Sequence, residues 1–259
     1  MFRRVRLDFR RGSFGESRST VERSRKVESD PIYLMMSKIQ RTKGGVRKHR
    51  FTKAWMHDHV TDPFVREAQT KGYRSRAAFK LLELADKDRL LRRGMTVVDL
   101  GAAPGSWCQV LKERVGASGR IVAVDLLPMD PVPGVKFIQG DFREDETLRA
   151  VRDAAGAGKV DLVLSDLSPN ISGIESADQA RSVYLGERAL EFAHEALQPG
   201  GDLVVKAFQG AGFSELERQF RACFDKVYVR KPKASRDRSR EVFLVAKGFR
   251  PSSTSESSK

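Results

Sequence analysis

Short apolar runs alternate with longer amphipathic stretches along the chain from about Asp62 onward. The apolar runs are typical of buried strands, and they occupy residues 96–101, 120–125, 135–141, 160–166 and 201–208. The amphipathic stretches show helical spacing and occupy residues 75–90, 107–116, 177–197 and 213–224, with one more before the fourth run. We expect Ser75 to cap the first helix, and Pro199 with the two glycines after it to end the long one.

Two closing apolar runs, at 226–232 and 240–248, are expected to form a pair of antiparallel strands. Strands that alternate with helices of about 10–15 residues indicate a mostly parallel sheet with helices on both faces. The pattern therefore predicts an α/β fold around a mostly parallel, seven-stranded sheet.

The first part of the chain lacks this pattern and carries most of the positive charge. Residues 1–60 contain 16 Lys and Arg against 6 Asp and Glu, which accounts for 10 of the net charge of +14. We predict a basic, largely disordered arm over residues 1–50, a folded domain over 51–249 and a disordered tail over 250–259.

The beginning of the arm is rich in Arg and Ser, as mitochondrial transit peptides are, although Asp8, Glu16 and Glu22 are unusual for one. Met36 is an alternative start of the protein. We expect a cytoplasmic location, or the mitochondrial matrix if residues 1–35 are a transit peptide.

Composition excludes several classes of protein. No apolar run approaches the ~18 residues that a membrane-spanning helix needs. Cys108 and Cys223 are the only cysteines, which rules out a disulfide scaffold and a CxxC metal or redox site. His57 and His59 lie near Asp58 without a third candidate ligand, so we expect no metal. We expect a monomer, and the positive charge favours a polyanionic partner, nucleic acid above all.

The predicted parallel strands end in or near charged residues, which are Asp99, Asp125, Asp141, Asp166 and Lys206. Ligands of such sheets bind beyond the carboxyl ends of the strands. These five residues are therefore the first candidates for a functional site.

The turn after the first strand has the sequence GAAPG and begins at Gly101. Glycines let a backbone turn sharply and approach a ligand closely. A dinucleotide-binding turn has the pattern G-x-G-x-x-G, but Ala103 stands where its second glycine would be, and Pro104 follows it. This disfavours a nicotinamide cofactor and favours S-adenosylmethionine (SAM), which has no pyrophosphate. Asp125 is then placed to bind the ribose hydroxyls, and Asp141 to meet the adenine amino group.

Asp166 and Lys206 end neighbouring strands in the predicted sheet and should converge at one crevice. Lys80 lies on the helix before the sheet, and Glu241 opens the final strand. A buried lysine is costly unless it is paired, so a purely structural ion pair between Lys206 and Asp166 is an alternative to a catalytic role.

Six segments of the chain resemble the FtsJ/RrmJ-type ribosomal RNA 2′-O-methyltransferases, and the likeness covers roughly residues 51–249. The segments are RSRAAFKL, DLGAAPGSW, DLLPMDPVPGVKFIQGDF, SDLSPNISG, VVKAFQG and SREVFLVAKGF. The resemblance implies a Rossmann-like, SAM-dependent methyltransferase fold. It also implies a Lys-Asp-Lys-Glu tetrad that acts on a ribose 2′-hydroxyl.

Carried over by motif, the tetrad consists of Lys80, Asp166, Lys206 and Glu241. The implied SAM contacts are Gly105, Trp107, Asp125, Asp141 and Asp166, and Asp99 and Gly101 complete the predicted cofactor site.

The implied reaction is in-line methyl transfer to a uridine of large-subunit (23S-type) ribosomal RNA on the assembled subunit. Lys206 is the expected general base, Asp166 and Glu241 orient the reacting groups, and Lys80 stabilises negative charge on the oxygen.

Basic residues near the predicted site are candidates for binding RNA. Arg74 and Arg76 lie next to the Lys80 helix, and residues 230–240 contain six basic residues against one acidic residue. Candidates for stacking on bases are Trp55, Phe64 and Tyr73, although core packing is the expected role of Phe64.

Other functions remain open from the residues. Transfer RNA or an mRNA cap could replace ribosomal RNA as the substrate. The chain could also be a catalytically silent RNA-binding factor in ribosome assembly, which the intact tetrad disfavours. A nicotinamide-dependent enzyme is disfavoured by Ala103 and by the charge.

Overall fold

The computed structural model describes residues 61–156, 160–169, 171–236 and 239–251. Its helices, in chain order, are α1 (Pro63–Lys71), α2 (Ala77–Asp88), α3 (Ser106–Val115), α4 (Asp145–Ala155), α5 (Glu175–Ala196) and α6 (Phe213–Cys223). Its strands are β1 (Thr96–Leu100), β2 (Arg120–Asp125), β3 (Val135–Gln139), β4 (Val160–Ser165), β5 (Leu197–Phe208), β6 (Phe224–Arg230) and β7 (Glu241–Phe249).

All of these elements belong to one compact unit that begins at Asp62. The predicted arm over residues 1–50, and with it Trp55, His57 and His59, lies outside the described residues, as does most of the predicted tail.

The strands of the described region form a single seven-stranded sheet in the order β3-β2-β1-β4-β5-β7-β6. The first five strands of that order are parallel, and β7 runs antiparallel to both β5 and β6. This confirms the predicted α/β fold and the antiparallel pairing of the closing strands. The strand order reverses between β1 and β4, which is where ligands of open α/β sheets bind.

Helices cover both faces of the sheet, as the alternating pattern predicts. On one face α2 and α3 contribute buried residues such as Leu81 and Trp107 to the core. On the other face α4, α5 and α6 contribute Val151, Phe192 and Phe220. Among the described helices, none combines the length and hydrophobicity that crossing a membrane would require.

The junction between α5 and β5 differs from the prediction. Pro199 and Gly200 do not separate the helix from the strand, because α5 ends at Ala196 and β5 begins at Leu197. The ladder to β4 instead shifts register between Val160 and Leu162, so the Pro-Gly segment bulges out of the strand. A bulge tolerates the missing proline N–H, which a regular ladder would not.

Two details at the start of the domain also differ. Helix α1 was not predicted as a separate element, although it has strong signals: the Asp62 side chain caps it and Gly72 ends it in a left-handed conformation. Ser75 is not the N-cap of α2, which is Arg76. The Ser75 hydroxyl nevertheless accepts a hydrogen bond from the Ala77 amide.

Candidate active site

The apolar face of the sheet beneath α2 ends in polar residues at the carboxyl edge of the parallel strands. Leu164 on β4 and Val204 on β5 belong to the core under α2. Because side chains alternate along a strand, Asp166 and Lys206, two residues further on, continue that face. Glu241, at the start of the antiparallel β7, reaches the same edge of the sheet. Three adjacent strands thus place three charged groups side by side.

Lys206 and Asp166 form a largely buried ion pair, with 7% and 17% of their side chains exposed. Lys206 Nζ lies 3.0 Å from Asp166 Oδ1 and donates a hydrogen bond of 2.8 Å to the backbone oxygen of the same residue. Burial opposes ionisation of Asp166, but the positive charges of Lys206 and Lys80 outweigh it and hold the pKa of the carboxyl below its usual value.

Lys80 and Glu241 form a second ion pair beside the first. Lys80 Nζ lies 2.6 Å from Glu241 Oε1, and both side chains are largely buried. The same Nζ lies 5.6 Å from the centre of the Phe243 ring, and Phe243 is directly opposite Lys206 in the ladder between β5 and β7. The positive charge of Lys80 also lowers the pKa of Asp166. The two pairs therefore form one group, which we call the charge cluster (Lys80, Asp166, Lys206, Glu241).

The glycine turn between β1 and α3 lies at the same edge of the sheet. Gly105 has a φ of 101°, and a Cβ added there would come within 2.6 Å of Arg74 Nη1 and 2.8 Å of Met129 Sδ. Gly101 has a φ of 82°, and its Cβ would lie about 3.1 Å from the backbone of Leu167. Both positions require glycine for conformation and for space.

Arg74 fastens this turn to the segment that follows β2. Its guanidinium donates hydrogen bonds to the backbone oxygens of Pro104, Asp130 and Pro131, at 2.9, 2.7 and 2.8 Å. The Arg74 side chain therefore holds the glycine turn and the segment around Asp130 close to each other.

Asp125 ends β2, and backbone amides hold its carboxylate in place. Oδ2 accepts a hydrogen bond from Ala103 in the glycine turn at 2.9 Å, and Oδ1 accepts one from Leu127 at 2.8 Å. Burial nevertheless raises the pKa of this carboxyl, against the lowering effect of the amides. The carboxylate is thus fixed beside the turn, with oxygen lone pairs left over for a ligand.

Asp99, on β1, is fully buried behind the turn. Its Oδ2 accepts a hydrogen bond from the Cys108 thiol at 3.4 Å, whereas Oδ1 has no hydrogen-bond partner in the described residues. Burial raises the pKa of Asp99 to about 7, and the negative charges of Asp166 and Asp125 add to this rise. Three carboxyl groups therefore lie close enough at this edge to influence one another.

Asp141 and Trp107 have protein partners of their own. Asp141 lies two residues beyond the end of β3, and Arg143 binds its carboxylate through Nε and Nη2, at 2.9 and 2.5 Å. The hydrogen bonds from Arg143 lower the pKa of this carboxyl. The Trp107 indole is buried, and its Nε1 donates to the backbone oxygen of Ala77 at 2.7 Å. Any contact of Asp141 with a ligand would be shared with Arg143.

Comparison with known proteins places this site in a family. The family model described as FtsJ-like methyltransferase matches residues 73–249, which include the glycine turn and the whole charge cluster. The chain belongs to the FtsJ-like methyltransferase family.

Relatives of this FtsJ-like methyltransferase are similar over most of its length. Proteins named ribosomal RNA large subunit methyltransferase E, from Azoarcus sp. (strain BH72) and Pseudomonas aeruginosa (strain PAO1), are 55% and 54% identical over 205 and 203 residues. These matches cover 79% and 78% of the chain, and 100% and 98% of the relatives.

A solved structure has the same fold. The crystal structure of a ribosomal RNA methyltransferase from Plasmodium falciparum matches with a TM-score of 0.62 and 33% identity. The match covers 68% of the chain and 98% of that structure.

A family of methyltransferases implies a methyl donor such as SAM, and the residues at the glycine turn fit it. Gly101 and Gly105 give the turn a backbone conformation that favours glycine, and Asp125 offers fixed carboxylate oxygens next to the turn. The Asp125 oxygens, held by the amides of Ala103 and Leu127, can accept hydrogen bonds from the ribose hydroxyls of such a cofactor.

Several residues predicted to meet RNA have structural roles in this FtsJ-like protein. Arg74 holds the glycine turn, and Arg76 bonds to Asp62 and to the Ala234 backbone. The Tyr73 hydroxyl donates to Glu113 at 2.9 Å, and burial raises the pKa of this tyrosine to about 12. The ring of Phe64 packs 5.7 Å from that of Phe79, which confirms its expected core role.

The basic segment near 230–240 is only partly exposed. Lys231, Lys233 and Arg240 are exposed, although Arg240 pairs with Glu175 and Lys231 donates to the backbone oxygen of Ser239. Arg230 is less exposed and binds Asp88, and residues 237–238 lie outside the described part of the chain. We therefore place RNA-binding candidates on the exposed lysines and Arg240 rather than on the whole segment.

Sequence reasoning missed two contributors to the site. Cys108 donates to Asp99 from the helix that follows the turn, and Ser235 donates to Glu241 Oε1 at 2.8 Å. The distance in sequence between Asp99 and Cys108 is compatible with a strand-turn-helix contact, so the first could have been inferred. The contact of Ser235 depends on how its segment folds back on α2, for which no local pattern exists.

Proposed function

We propose that this chain is a SAM-dependent RNA methyltransferase that modifies the ribose 2′-hydroxyl of a uridine in large-subunit ribosomal RNA. The observation that carries the proposal is the charge cluster, in which two lysines and two carboxylates meet beside a glycine turn. A binding protein without catalytic activity has no use for two largely buried lysines at such an edge, because burying them is costly.

SAM, when bound, supplies an activated methyl group. Asp125 and the glycine turn would hold it. A ribose hydroxyl is a weak nucleophile until its proton is removed, so the protein must supply a base.

Lys206 takes up the proton of the 2′-hydroxyl in this proposal. Asp166 fixes the amine through its side chain and its backbone oxygen, and so determines the direction in which Lys206 meets the ribose. Lys80, held by Glu241, places a positive charge near the oxygen as negative charge develops on it.

The substrate follows from the relatives and from the charge. The proteins that are about 55% identical over four fifths of the chain carry names that specify the RNA of the large ribosomal subunit. A net charge of +14 and the exposed Lys231, Lys233 and Arg240 suit a phosphate backbone. We propose the assembled subunit as the substrate and the cytoplasm as the location.

Transfer of labelled methyl groups tests the proposal. Large ribosomal subunits that lack modifications, naked ribosomal RNA and transfer RNA are incubated in parallel with methyl-labelled SAM. We expect label in the subunits and resistance of one phosphodiester bond to alkali, because a 2′-O-methyl group blocks hydrolysis there. Label only in transfer RNA would overturn the substrate, and no label in any RNA would overturn the activity.

The Lys206→Ala variant tests whether Lys206 accepts the proton of the 2′-hydroxyl. We expect it to bind SAM like the wild type while methyl transfer falls by about 10²–10⁴-fold, the usual contribution of a general base. Lys247→Ala is the matched control, since Lys247 binds Asp202 and the backbone of Asp88 at the opposite edge of the sheet. Turnover near that of the wild type in Lys206→Ala would refute the assignment of the base.

A further inference from the structure

The segment before β7 folds against α2 and is held there at several points. The Arg76 guanidinium donates to the backbone oxygen of Ala234 and forms an ion pair with Asp62. Glu83 on α2 accepts a hydrogen bond from the Lys233 amide at 2.7 Å. Ala234 is buried in a small cluster with Phe79, which also lies on α2. The segment is therefore fixed to the helix that carries Lys80.

Ser235 lies at the inner end of this segment and is only 4% exposed. Its amide closes a turn by donating to the backbone oxygen of Pro232 at 2.8 Å. Its hydroxyl donates to Glu241 Oε1 at 2.8 Å. Lys80 Nζ contacts the same carboxylate oxygen at 2.6 Å, so one oxygen receives both a hydroxyl and an ammonium group.

Two donors on one oxygen restrict the carboxylate more than one does. The ion pair alone would let Glu241 rotate about its side-chain bonds while following the flexible chain of Lys80. The Ser235 hydroxyl comes from a short side chain on a fixed backbone, so it sets where Oε1 lies and hence where Lys80 Nζ lies. Groups that act by electrostatic stabilisation depend on such placement before the reaction begins.

We propose that Ser235 is a positioning residue that holds Glu241 Oε1, and through it Lys80, in the place that methyl transfer requires. This inference rests on the proposed function, because it assigns Lys80 and Glu241 to the reaction. It gives the segment before β7 a role in turnover in addition to any role in binding RNA.

The test compares Ser235→Ala with Ser182→Ala in the full-length protein, using large subunits and labelled SAM. Ser182 is a similarly buried serine on α5 whose hydroxyl oxygen accepts a hydrogen bond from the Phe208 amide. We expect Ser235→Ala to lower kcat about tenfold, the effect of one hydrogen bond to a charged group, with KM for subunits changed by less than about twofold. SAM affinity, measured by calorimetry, should stay unchanged.

Ser235→Thr restores a hydroxyl at the same position, and we expect it to recover most of the lost kcat. Ser182→Ala should keep the wild-type kcat even if its melting temperature falls. A structural role of Ser235 would instead lower the melting temperature or the SAM affinity at unchanged kcat.

Three results would overturn the inference: a wild-type kcat in Ser235→Ala, a loss in KM or SAM affinity instead of kcat, or a Ser235→Thr variant as slow as Ser235→Ala. In all three the wild type labels its RNA, so the proposed function stands. A wild-type protein that labels no RNA would overturn both.

Discussion

Asp166 holds Lys206 through two oxygens of a single residue, Oδ1 at 3.0 Å and the backbone oxygen at 2.8 Å. The backbone oxygen accepts a hydrogen bond from Nζ, and Oδ1 supplies the negative charge of the ion pair. Both contacts come from one residue just after β4, so together they fix the position of the amine at the carboxyl edge of the sheet. The same geometry that keeps a largely buried lysine paired also fixes where the proposed base lies.

The ion pair of Lys206 and Asp166 should matter for stability as well as for turnover. Asp166→Asn leaves a largely buried lysine without its counter-ion, and we expect the free energy of unfolding to fall by about 3–5 kcal/mol. Asp86→Asn is the control, because the Asp86–Arg114 pair is exposed and should contribute less than about 1 kcal/mol. Urea unfolding measures both, and equal losses in the two variants would contradict the burial argument.

The glycine turn should tolerate a methyl group poorly at Gly105. Gly105→Ala places a Cβ 2.6 Å from Arg74 Nη1, and moving that side chain breaks its bonds to Pro104 and Asp130. We expect SAM affinity to fall at least about tenfold, because both the strained backbone and the displaced Arg74 distort the turn.

Gly72→Ala is the matched control for the backbone strain that an alanine causes at a positive φ. Gly72 also has a positive φ, of 75°, but its Cβ would meet nothing within 4 Å. We expect a stability loss of about 1–2 kcal/mol without a change in SAM affinity. If Gly105→Ala bound SAM as well as Gly72→Ala does, the turn would not be the cofactor site.

Much of the fold could be predicted from the sequence because each element buries a face that its own pattern marks. The runs that became β1, β2 and β4 are mostly apolar, as strands buried on both sides are. The junction at Pro199 could not be predicted in this way. The Pro-Gly sequence there indicates that a helix or strand ends. Only the register of β5 against β4 shows that the strand continues past it with a bulge.

The candidate site could be predicted in part. Every second side chain of β4 and β5 lies on the face under α2, and Asp166 and Lys206 continue that face. Because β4 and β5 are neighbours in the sheet, the topology alone brings the two residues together. The structural use of Arg74 could not be inferred, because a positive charge near a basic surface indicates phosphate binding equally well. Its three carbonyl partners come from segments that fold next to it only in the tertiary structure.

Salt dependence of RNA binding should separate structural arginines from phosphate-binding lysines. Arg74→Ala is expected to weaken SAM binding while the slope of log K against log salt for RNA stays that of the wild type. Lys233→Ala, at an exposed position, is expected to make that slope shallower by roughly one, as the loss of one phosphate contact does. Filter binding over a salt series measures the slope for both variants. A shallower slope in Arg74→Ala would show that Arg74 contacts RNA phosphates.

Asp99 should make the stability of the cofactor-free protein depend on pH. Burial raises its pKa to about 7 in the folded state, above the ordinary value of 3.8. The unfolded chain therefore loses the proton at lower pH than the folded protein does. Stability from this group is highest below pH ~4, falls as the pH rises towards 7 and is constant above it.

Asp99→Asn removes this titration while keeping the shape of the side chain. Because one pKa unit corresponds to about 1.4 kcal/mol, the wild type should lose roughly 2–3 kcal/mol relative to Asp99→Asn between pH 5 and pH 8. Urea unfolding of both proteins at the two pH values provides the comparison. A difference between wild type and variant that is the same at pH 5 and pH 8 would show that Asp99 is ionised in the fold at both, and the fold would then hold a buried negative charge behind the glycine turn.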